Sequence, residues 1–317
     1  MVRSIQVRVA QAADAGNVSR IARDNPGRHF EGTEFWVQAT IVTPELSLVL
    51  EDHGKVVGWT MAYPDSPLSG DARKLRFNLM VDSEVQGRGL GNTLLQALGE
   101  AARTLEVQQL RAMAWTGEMN ALSFLRRHGF EEHHRMTFSR VNVAQVDLDR
   151  LEASLTKVSM RGVTVHSYLL PGLTDEGLWE ELTPVHNAVM ASMPPYFDDP
   201  PVSSTTHELE DFVNASQYPD LPGILFIGRD AGGVVAYATA YRDADRIHQG
   251  LTGVHPFFRR MGLALALKAL VFQYAQSQDV AVVDTGYQSN NVPIAELNRS
   301  LGFELEKAEL RLWKKLA

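Results

Sequence analysis

At 317 residues, with 44% hydrophobic against 21% charged residues and no cysteine, the chain is sized for two globular domains at roughly 100–200 residues each. It holds no apolar run near the roughly 18 residues of a membrane helix and no signal-peptide core, and its net charge of −8 opposes the basic footprint of a general nucleic-acid binder. The missing cysteines exclude disulfides, thiolate nucleophiles and cysteine zinc sites together, and a soluble cytoplasmic protein is the expectation.

Residues 4–9 alternate as a half-buried strand does, and residues 14–23 read as a short helix. Residues 25–43, with Gly27 and Gly32, read as loop despite Phe30, Phe35 and Trp36. Residues 46–50 and 56–62 predict a hairpin turning at Asp52-His53-Gly54-Lys55, and residues 64–71 a Pro/Ser/Gly-rich surface connection. A strand over 75–81 then runs into Gln86-Gly87-Arg88-Gly89-Leu90-Gly91 and a helix with Leu94, Leu95, Leu98 and Leu105 on one face. Residues 109–115 form another strand, and 120–128 a helix stopped by Gly129, which tolerates positive φ. A closing strand at 138–143 is expected to pair back within this half.

Val146, Leu148, Leu151, Leu155 and Val158 recur at helical spacing and predict a linking helix, with no flexible tether around it. A strand at 163–169 and a helix over 179–190, bent or delayed by Pro184, open the second half. Residues 192–223 carry six prolines around Tyr196, Phe197, Asp198 and Asp199. This segment has no close match in the first half and reads either as an acceptor pocket whose acids suit a cationic amine or as a plain surface loop. A second hairpin (224–228 and 234–241) leads to the strand end Leu251 to Val254. Next comes the basic loop Arg259-Arg260-Met261-Gly262-Leu263-Ala264, and then a helix with Leu263, Leu267, Leu270, Val271 and Tyr274 on its apolar face. A strand at 280–283, a helix at 293–301 and a strand at 308–313 finish the chain.

Both loops fit Gln/Arg-x-x-Gly-x-Gly/Ala, and one offset of 173 residues relates Gly89 to Gly262 and Gly129-Phe130 to Gly302-Phe303. Two landmarks in one register indicate an internal duplication. It divides the chain into a first domain over 1–145, a linker helix over 146–160 and a second domain over 161–317, each of mixed α/β (α+β) character. A loop between strand and helix aims backbone N–H groups and the positive helix end at one point, which suits a phosphate or pyrophosphate. Small residues there let the ligand approach the backbone. The alternative is a pair of tight turns with ordinary surface charges at Arg88, Arg259 and Arg260, which repetition in register disfavours. An unperturbed histidine titrates near neutrality, so His248 is either a base or a structural residue. Glu180 and Glu181 either reach an acceptor cleft or form a solvated face. No nucleotidase phosphate loop is present, Gly87 to Gly91 lacks dinucleotide-binding spacing, and the histidines, His133 and His134 included, show no metal-ligand spacing.

The doubled loop, each copy following a strand, and the later helices ending in Gly-Phe resemble GNAT-type N-acetyltransferases arranged as a tandem pair over almost all of both halves. The segment Thr285-Gly-Tyr-Gln-Ser-Asn-Asn-Val-Pro-Ile-Ala-Glu-Leu-Asn-Arg-Ser-Leu-Gly-Phe303 is similar to a Thr-x-Asn, Asn-x-Pro-Met, Ile-Asn-x-x-Leu-Gly-Phe signature. That signature belongs to two-domain actinobacterial-type acyltransferases, mycothiol synthase among them. The resemblance implies two domains, each a mixed, mostly antiparallel central sheet flanked by helices. It implies an acetyl-CoA-dependent N-acetyltransferase that moves acetyl directly to a primary amine of a small molecule, without metal and without a nucleic-acid or membrane partner. On this resemblance the loops Gln86 to Gly91 and Arg259 to Ala264 cradle the CoA pyrophosphate. Backbone N–H groups near Val81 and Val254 hold the thioester carbonyl, and Asn120 and Asn291 contact the CoA arm.

The chain departs from the family pattern at the proton donor. Leu125 and Asn298 stand where many members carry a tyrosine, and Leu125 cannot donate, whereas Asn298 can hydrogen-bond but is a poor acid. Tyr287 replaces an expected Asn and Ile294 an expected Met, so Tyr287 joins Asn298 and His248 as a catalytic candidate. The second copy is therefore expected to be catalytic and the first a CoA-binding or structural copy. The alternative function is a non-catalytic acyl-CoA-binding or sensor protein with a degenerate fold.

Overall fold

The computed structural model describes residues 5–25, 43–64, 73–194, 203–216 and 221–316. The expected loop with Phe30, Phe35 and Trp36, most of the 64–71 connection, and Tyr196, Phe197, Asp198 and Asp199 lie outside the described residues. No helix among the described residues is long and apolar enough to cross a membrane. The chain divides into two compact units, one of Met1–His133 with Leu310–Ala317, the other of His134–Glu309.

The first unit runs β1 (Ile5–Val9), α1 (Ala15–Arg23), β2 (Ser47–Asp52), β3 (Lys55–Pro64), β4 (Lys74–Val81), α2 (Leu90–Thr104), β5 (Gln109–Trp115) and α3 (Met119–Arg127). Its strands lie in chain order, antiparallel from β1 to β4 and parallel from β4 to β5, and the end of the last strand, Glu304–Lys315, follows β5. One face of the sheet buries Val18 and Ile21 of α1 against Val49, Trp59, Met61 and Met80. The other buries Leu95, Leu98 and Ala102 of α2 with Leu48, Leu75, Phe77, Leu110, Leu310 and Leu312, each large side chain contributing about 1.5–3 kcal/mol by leaving water. Leu105, expected on the apolar face of α2, falls just past its end and is exposed.

The second unit holds most of β6 (Glu131–Asn142), then α4 (Leu148–Ser159), β7 (Thr164–Leu170), α5 (Glu176–Ala191), α6 (Thr206–Asp211), β8 (Gly223–Asp230), β9 (Gly233–Asp243), β10 (Arg246–Val254), α7 (Leu263–Ser277), β11 (Val282–Gln288), α8 (Val292–Ser300) and the start of β12 (Glu304–Lys315). The strand order is β12-β6-β11-β10-β9-β8-β7. Helices α4 and α7 cover one face, burying Leu151, Val158, Leu263, Leu267 and Val271 with Val235, Ile247 and Val283. Helices α5 and α6 cover the other with Leu178, Trp179, Leu182 and Leu209. Both units are thus mixed, mostly antiparallel sheets flanked by helices, as the sequence leads one to expect.

Three elements differ from that reading. Helix α5 runs through Pro184, and it starts early because Asp175 caps it by accepting the Leu178 N–H at 3.1 Å. The strand expected at 280–283 extends to Gln288, since Thr285 to Gln288 all pair with β6. The strand expected to pair back within the first half, β6, instead lies antiparallel to β11, from Asn142↔Val282 to Met136↔Gln288. Alternation marks a segment as a strand, but its edge partner is chosen by which face can bury its apolar set, here Val141 in the core under α7.

Candidate functional site

In the first unit β4 pairs with β3 as far as Gly58↔Val81, but with β5 only over Lys74–Arg76. Beyond Arg76 the two parallel strands part. The Asp82 N–H bonds to Val57 O at 2.8 Å, so ladder alternation turns the N–H and C=O of Val81 away from β3, toward the gap. The Val81 carbonyl accepts from Gln86 Nε2 at 3.0 Å. Asp82 shapes the turn that follows. It accepts from the Glu84 N–H at 3.2 Å and from Arg20 Nη1 at 2.6 Å. Burial opposes its ionisation, yet those bonds hold the carboxyl below its usual range.

The loop then takes two left-handed residues, Gly87 (φ 79°) and Gly89 (φ 81°), and α2 begins at Leu90. A side chain added at either glycine would point into open space. Val81, Gln86, Gly87, Gly89, Leu90, Gly91, Asn120 and Leu125 all line a cavity of about 560 Å³ with Phe77, Leu79, Ala112 and Glu118. Arg88 is exposed beside it.

The second unit repeats this construction. β10 pairs in parallel with β11 only from Arg246↔Val282 to Gln249↔Thr285. Its pairing with β9 reaches Val254↔Ala236, and the His255 N–H bonds to Val235 O at 2.9 Å, so the N–H and C=O of Val254 also face the gap. The Val254 carbonyl accepts from Arg259 Nε at 3.3 Å, matching Gln86 on Val81. Arg260 (φ 64°) and Gly262 (φ 91°) reproduce the two left-handed residues, the first in a residue type for which that conformation costs about 1–2 kcal/mol. Both loops thus form the same concave run of backbone N–H groups before a helix, an arrangement suited to anions. Leu263 is buried, and Met261 and Ala264 are half-buried. One difference separates the ladders: β4 keeps a constant register with β3, whereas β10 carries a one-residue bulge between Gln249 and Thr252.

Asn298 lies in α8 at 1% exposure, and neither its Oδ1 nor its Nδ2 has a hydrogen-bond partner. Leaving a buried polar group unsatisfied costs about 1–3 kcal/mol, which marks the carboxamide as a group awaiting a partner. Tyr287 is half-buried on β11 beyond the last pair with β10, and strand alternation places it on the face of Val283, the one α7 covers. Asn291 is the residue before α8 and makes no side-chain capping bond; by helix position its counterpart is Glu118, the residue before α3, not Asn120, which is exposed on the cavity rim. Glu180 and Glu181 sit on the solvated face, Glu181 paired with Arg229.

His248 is placed elsewhere. It stands six residues before Val254, about 20 Å along the strand, on the closed stretch of β10. Its Nδ1 lies 2.6 Å from Asp284 Oδ1 and its Nε2 3.2 Å from Asp243 Oδ2. Burial alone lowers its pKa, but the two carboxylates prevail and raise it, so His248 is held toward the cationic form, the reverse of a free base. Sequence reasoning also missed Arg161, whose Nη1 donates to Met261 O at 2.7 Å, and Ser192, bonded to Arg259. Both are remote in sequence from the loop they brace, and no local spacing signals them. Among the described residues no cluster of His, Asp or Glu is arranged to hold a metal ion.

Two family models match the chain, an acetyltransferase (GNAT) domain over residues 43–132 and the acetyltransferase (GNAT) family over residues 185–303. No curated protein matches it. Among solved structures, a tandem GNAT protein from the clavulanic acid biosynthesis pathway is 16% identical with a TM-score of 0.66, covering 99% of each chain. A GCN5-related N-acetyltransferase from Sphaerobacter thermophilus is 17% identical with a TM-score of 0.62, covering 98% of this chain and 96% of its own. One from Kribbella flavida is 14% identical with a TM-score of 0.58, covering 99% of this chain and 72% of its own. At these identities the likeness is one of fold.

Proposed function

The chain is a tandem GNAT acetyltransferase-fold protein, and from that premise we propose that it is an acetyl-CoA-dependent N-acetyltransferase acting on a primary amine of a small molecule. In this reading the second copy, over 161–317, is the reacting site, and the first, over 1–145, seats the coenzyme without chemistry. The observation that carries it is the doubled loop. Two places 173 residues apart share a parting pair of parallel strands, a strand-end carbonyl capped by the first loop side chain, and two left-handed residues before a helix.

The residues fit the coenzyme. Open space lies over Gly87, Gly89 and Gly262, where a diphosphate needs room against the backbone, and Asn298 is a buried carboxamide without a partner. Gln86 to Gly91 with Val81 and Asn120 would hold it in the first copy, and Arg259 to Ala264 with Val254 and Asn291 in the second. Bound acetyl-CoA supplies an acetyl group activated as a thioester. The Val254 N–H, already turned toward the gap, is the donor for a carbonyl oxygen that gains charge. In this reading the Asn298 carboxamide would hydrogen-bond the departing sulfur and the Tyr287 hydroxyl would protonate it. An acceptor amine must shed a proton, and with His248 tied to two carboxylates that proton goes to water.

A second reading, a non-catalytic acyl-CoA-binding protein, is favoured by the cavity of about 560 Å³ lying in the copy whose wall carries Leu125. Thiol release over a panel of amines separates the two, with calorimetry counting coenzyme sites. Release above background together with two sites supports the transferase. Tight binding without turnover supports the sensor, and no binding at millimolar CoA sinks both.

A further inference from the structure

Helix α7 begins Leu-Ala-Leu-Ala-Leu-Lys-Ala-Leu-Val-Phe, and the lone cation in that run, Lys268, is 1% exposed. Its Nζ donates to Gln249 Oε1 at 2.6 Å and lies 5.1 Å from the centre of the Phe303 ring. Gln249 extends the chain of bonds. Its Nε2 donates to Thr252 Oγ1 at 2.8 Å, and its backbone carbonyl accepts from Thr285 Oγ1 at 3.3 Å.

These residues stand where the groove takes its shape. Gln249 and Thr285 are the last pair before β10 and β11 part, and Gln249 and Thr252 bracket the bulge. The bulge is pinned from its other side by the Leu251 N–H, which donates to Thr239 Oγ1 at 2.9 Å. One buried polar chain therefore clamps the helix behind the loop to both strands at the point of parting. The positions 173 residues earlier are Leu95, Arg76, Leu79 and Ala112, where β4 runs without a bulge and α2 packs through apolar side chains. Burial pushes the Lys268 amine down to about 7, so at pH 8 it is mostly neutral and demands no counter-charge.

We propose that Lys268 is a positioning residue of the second acyl-CoA site: through Gln249 it sets the bulge and the parting of β10 from β11, and with them the direction in which the backbone N–H groups up to Val254 face the groove. This rests on reading that groove as a coenzyme seat. A lysine kept only for packing would be poorly chosen, because an apolar side chain of similar length avoids desolvating the amine. The two roles therefore predict different outcomes for Lys268→Met.

The test measures CoA affinity by calorimetry, kcat and KM by thiol release, and Tm, in full-length protein whose first loop is blocked by Gly89→Glu. Lys268→Met removes a buried amine but leaves Gln249 Oε1 without its donor, so Tm is expected to change little while CoA binding weakens and kcat/KM falls about 10- to 100-fold, the scale of a small misplacement at a distance. Lys268→Gln, one bond shorter but keeping an N–H donor that a small shift of Gln249 brings into range, is expected to recover part of the loss. Gln249→Leu leaves the lysine in place and is expected to weaken CoA binding as Lys268→Met does. Parental affinity and turnover in Lys268→Met, or parental affinity in Gln249→Leu, would overturn the proposal alone. A parent that takes up no CoA at the second loop overturns the site reading and the proposal with it.

Discussion

The two loops share a backbone and differ in what stands behind it. Gln86 and Arg259 cap equivalent carbonyls, and residues 87 and 260 turn left-handed alike, one glycine and the other arginine. Behind the first loop lie a regular ladder, Leu95 and Leu125, and behind the second lie a bulge, Lys268 and the unpartnered Asn298. The comparison teaches that the shape of the loop is a backbone property, tolerant of side-chain change. The far end of the groove is a side-chain property, and there the copies have diverged.

The largest effect should come from filling one cradle at a time. Gly262→Glu puts a carboxylate over the second loop and is expected to reduce thiol release to background, whereas Gly89→Glu is expected to remove one CoA site by calorimetry and lower release far less. The reverse ranking would show that the reacting copy is the first. Next, Asn298→Leu gives the second copy the residue of the first and is expected to lower kcat about 100-fold, as loss of a transition-state donor does. The same variant should raise stability, because it removes a buried group whose unmet bonds cost about 1–3 kcal/mol. A fall in Tm would mean that the carboxamide is already satisfied.

A third contrast lies in pH dependence. Lys268 releases its proton near 7 in the folded protein against 10.5 ordinarily, so between those values the unfolded chain binds the extra proton. Stability should then climb with pH across that window, by up to about 1.4 kcal/mol per pH unit, and be flat with respect to this group below 7. Urea unfolding at pH 7, 8 and 9 measures the slope, and Lys268→Met should flatten it, since Leu95 at the matching place has nothing to titrate. The smallest effect concerns the left-handed pair. Arg260→Gly should stabilise and Gly87→Arg destabilise by about 1 kcal/mol, read as Tm shifts of about 2–4 °C in opposite directions. Equal shifts of one sign would show that the two loops do not share a backbone after all.

Much of this was legible in the residues. A glycine immediately before each helix, a strand before each loop and a constant spacing between copies are local demands, written where the chain must turn. Asn298 was found from a motif position, though its isolation in the core was not. The Arg161 and Ser192 braces were invisible because each meets the loop only through the fold. Nothing local singles out Lys268 or ties it to Gln249, 19 residues away on another element. Glu118, as the positional counterpart of Asn291, was hidden by matching residue type where helix position decides.

From sequence alone came the duplication, the two strand–loop–helix turns and the class of each domain, because hydrophobic period and backbone conformation are imposed by neighbours a few residues away. Tertiary structure decided that β6 lies beside β11, that β10 bulges at Gln249, and that His248 is clasped by Asp243 and Asp284 far from the loop. The physical reason is that backbone hydrogen bonds carry no residue labels. A strand takes the edge where its apolar face finds a core, and a charged side chain takes the partner that the resulting register brings within reach.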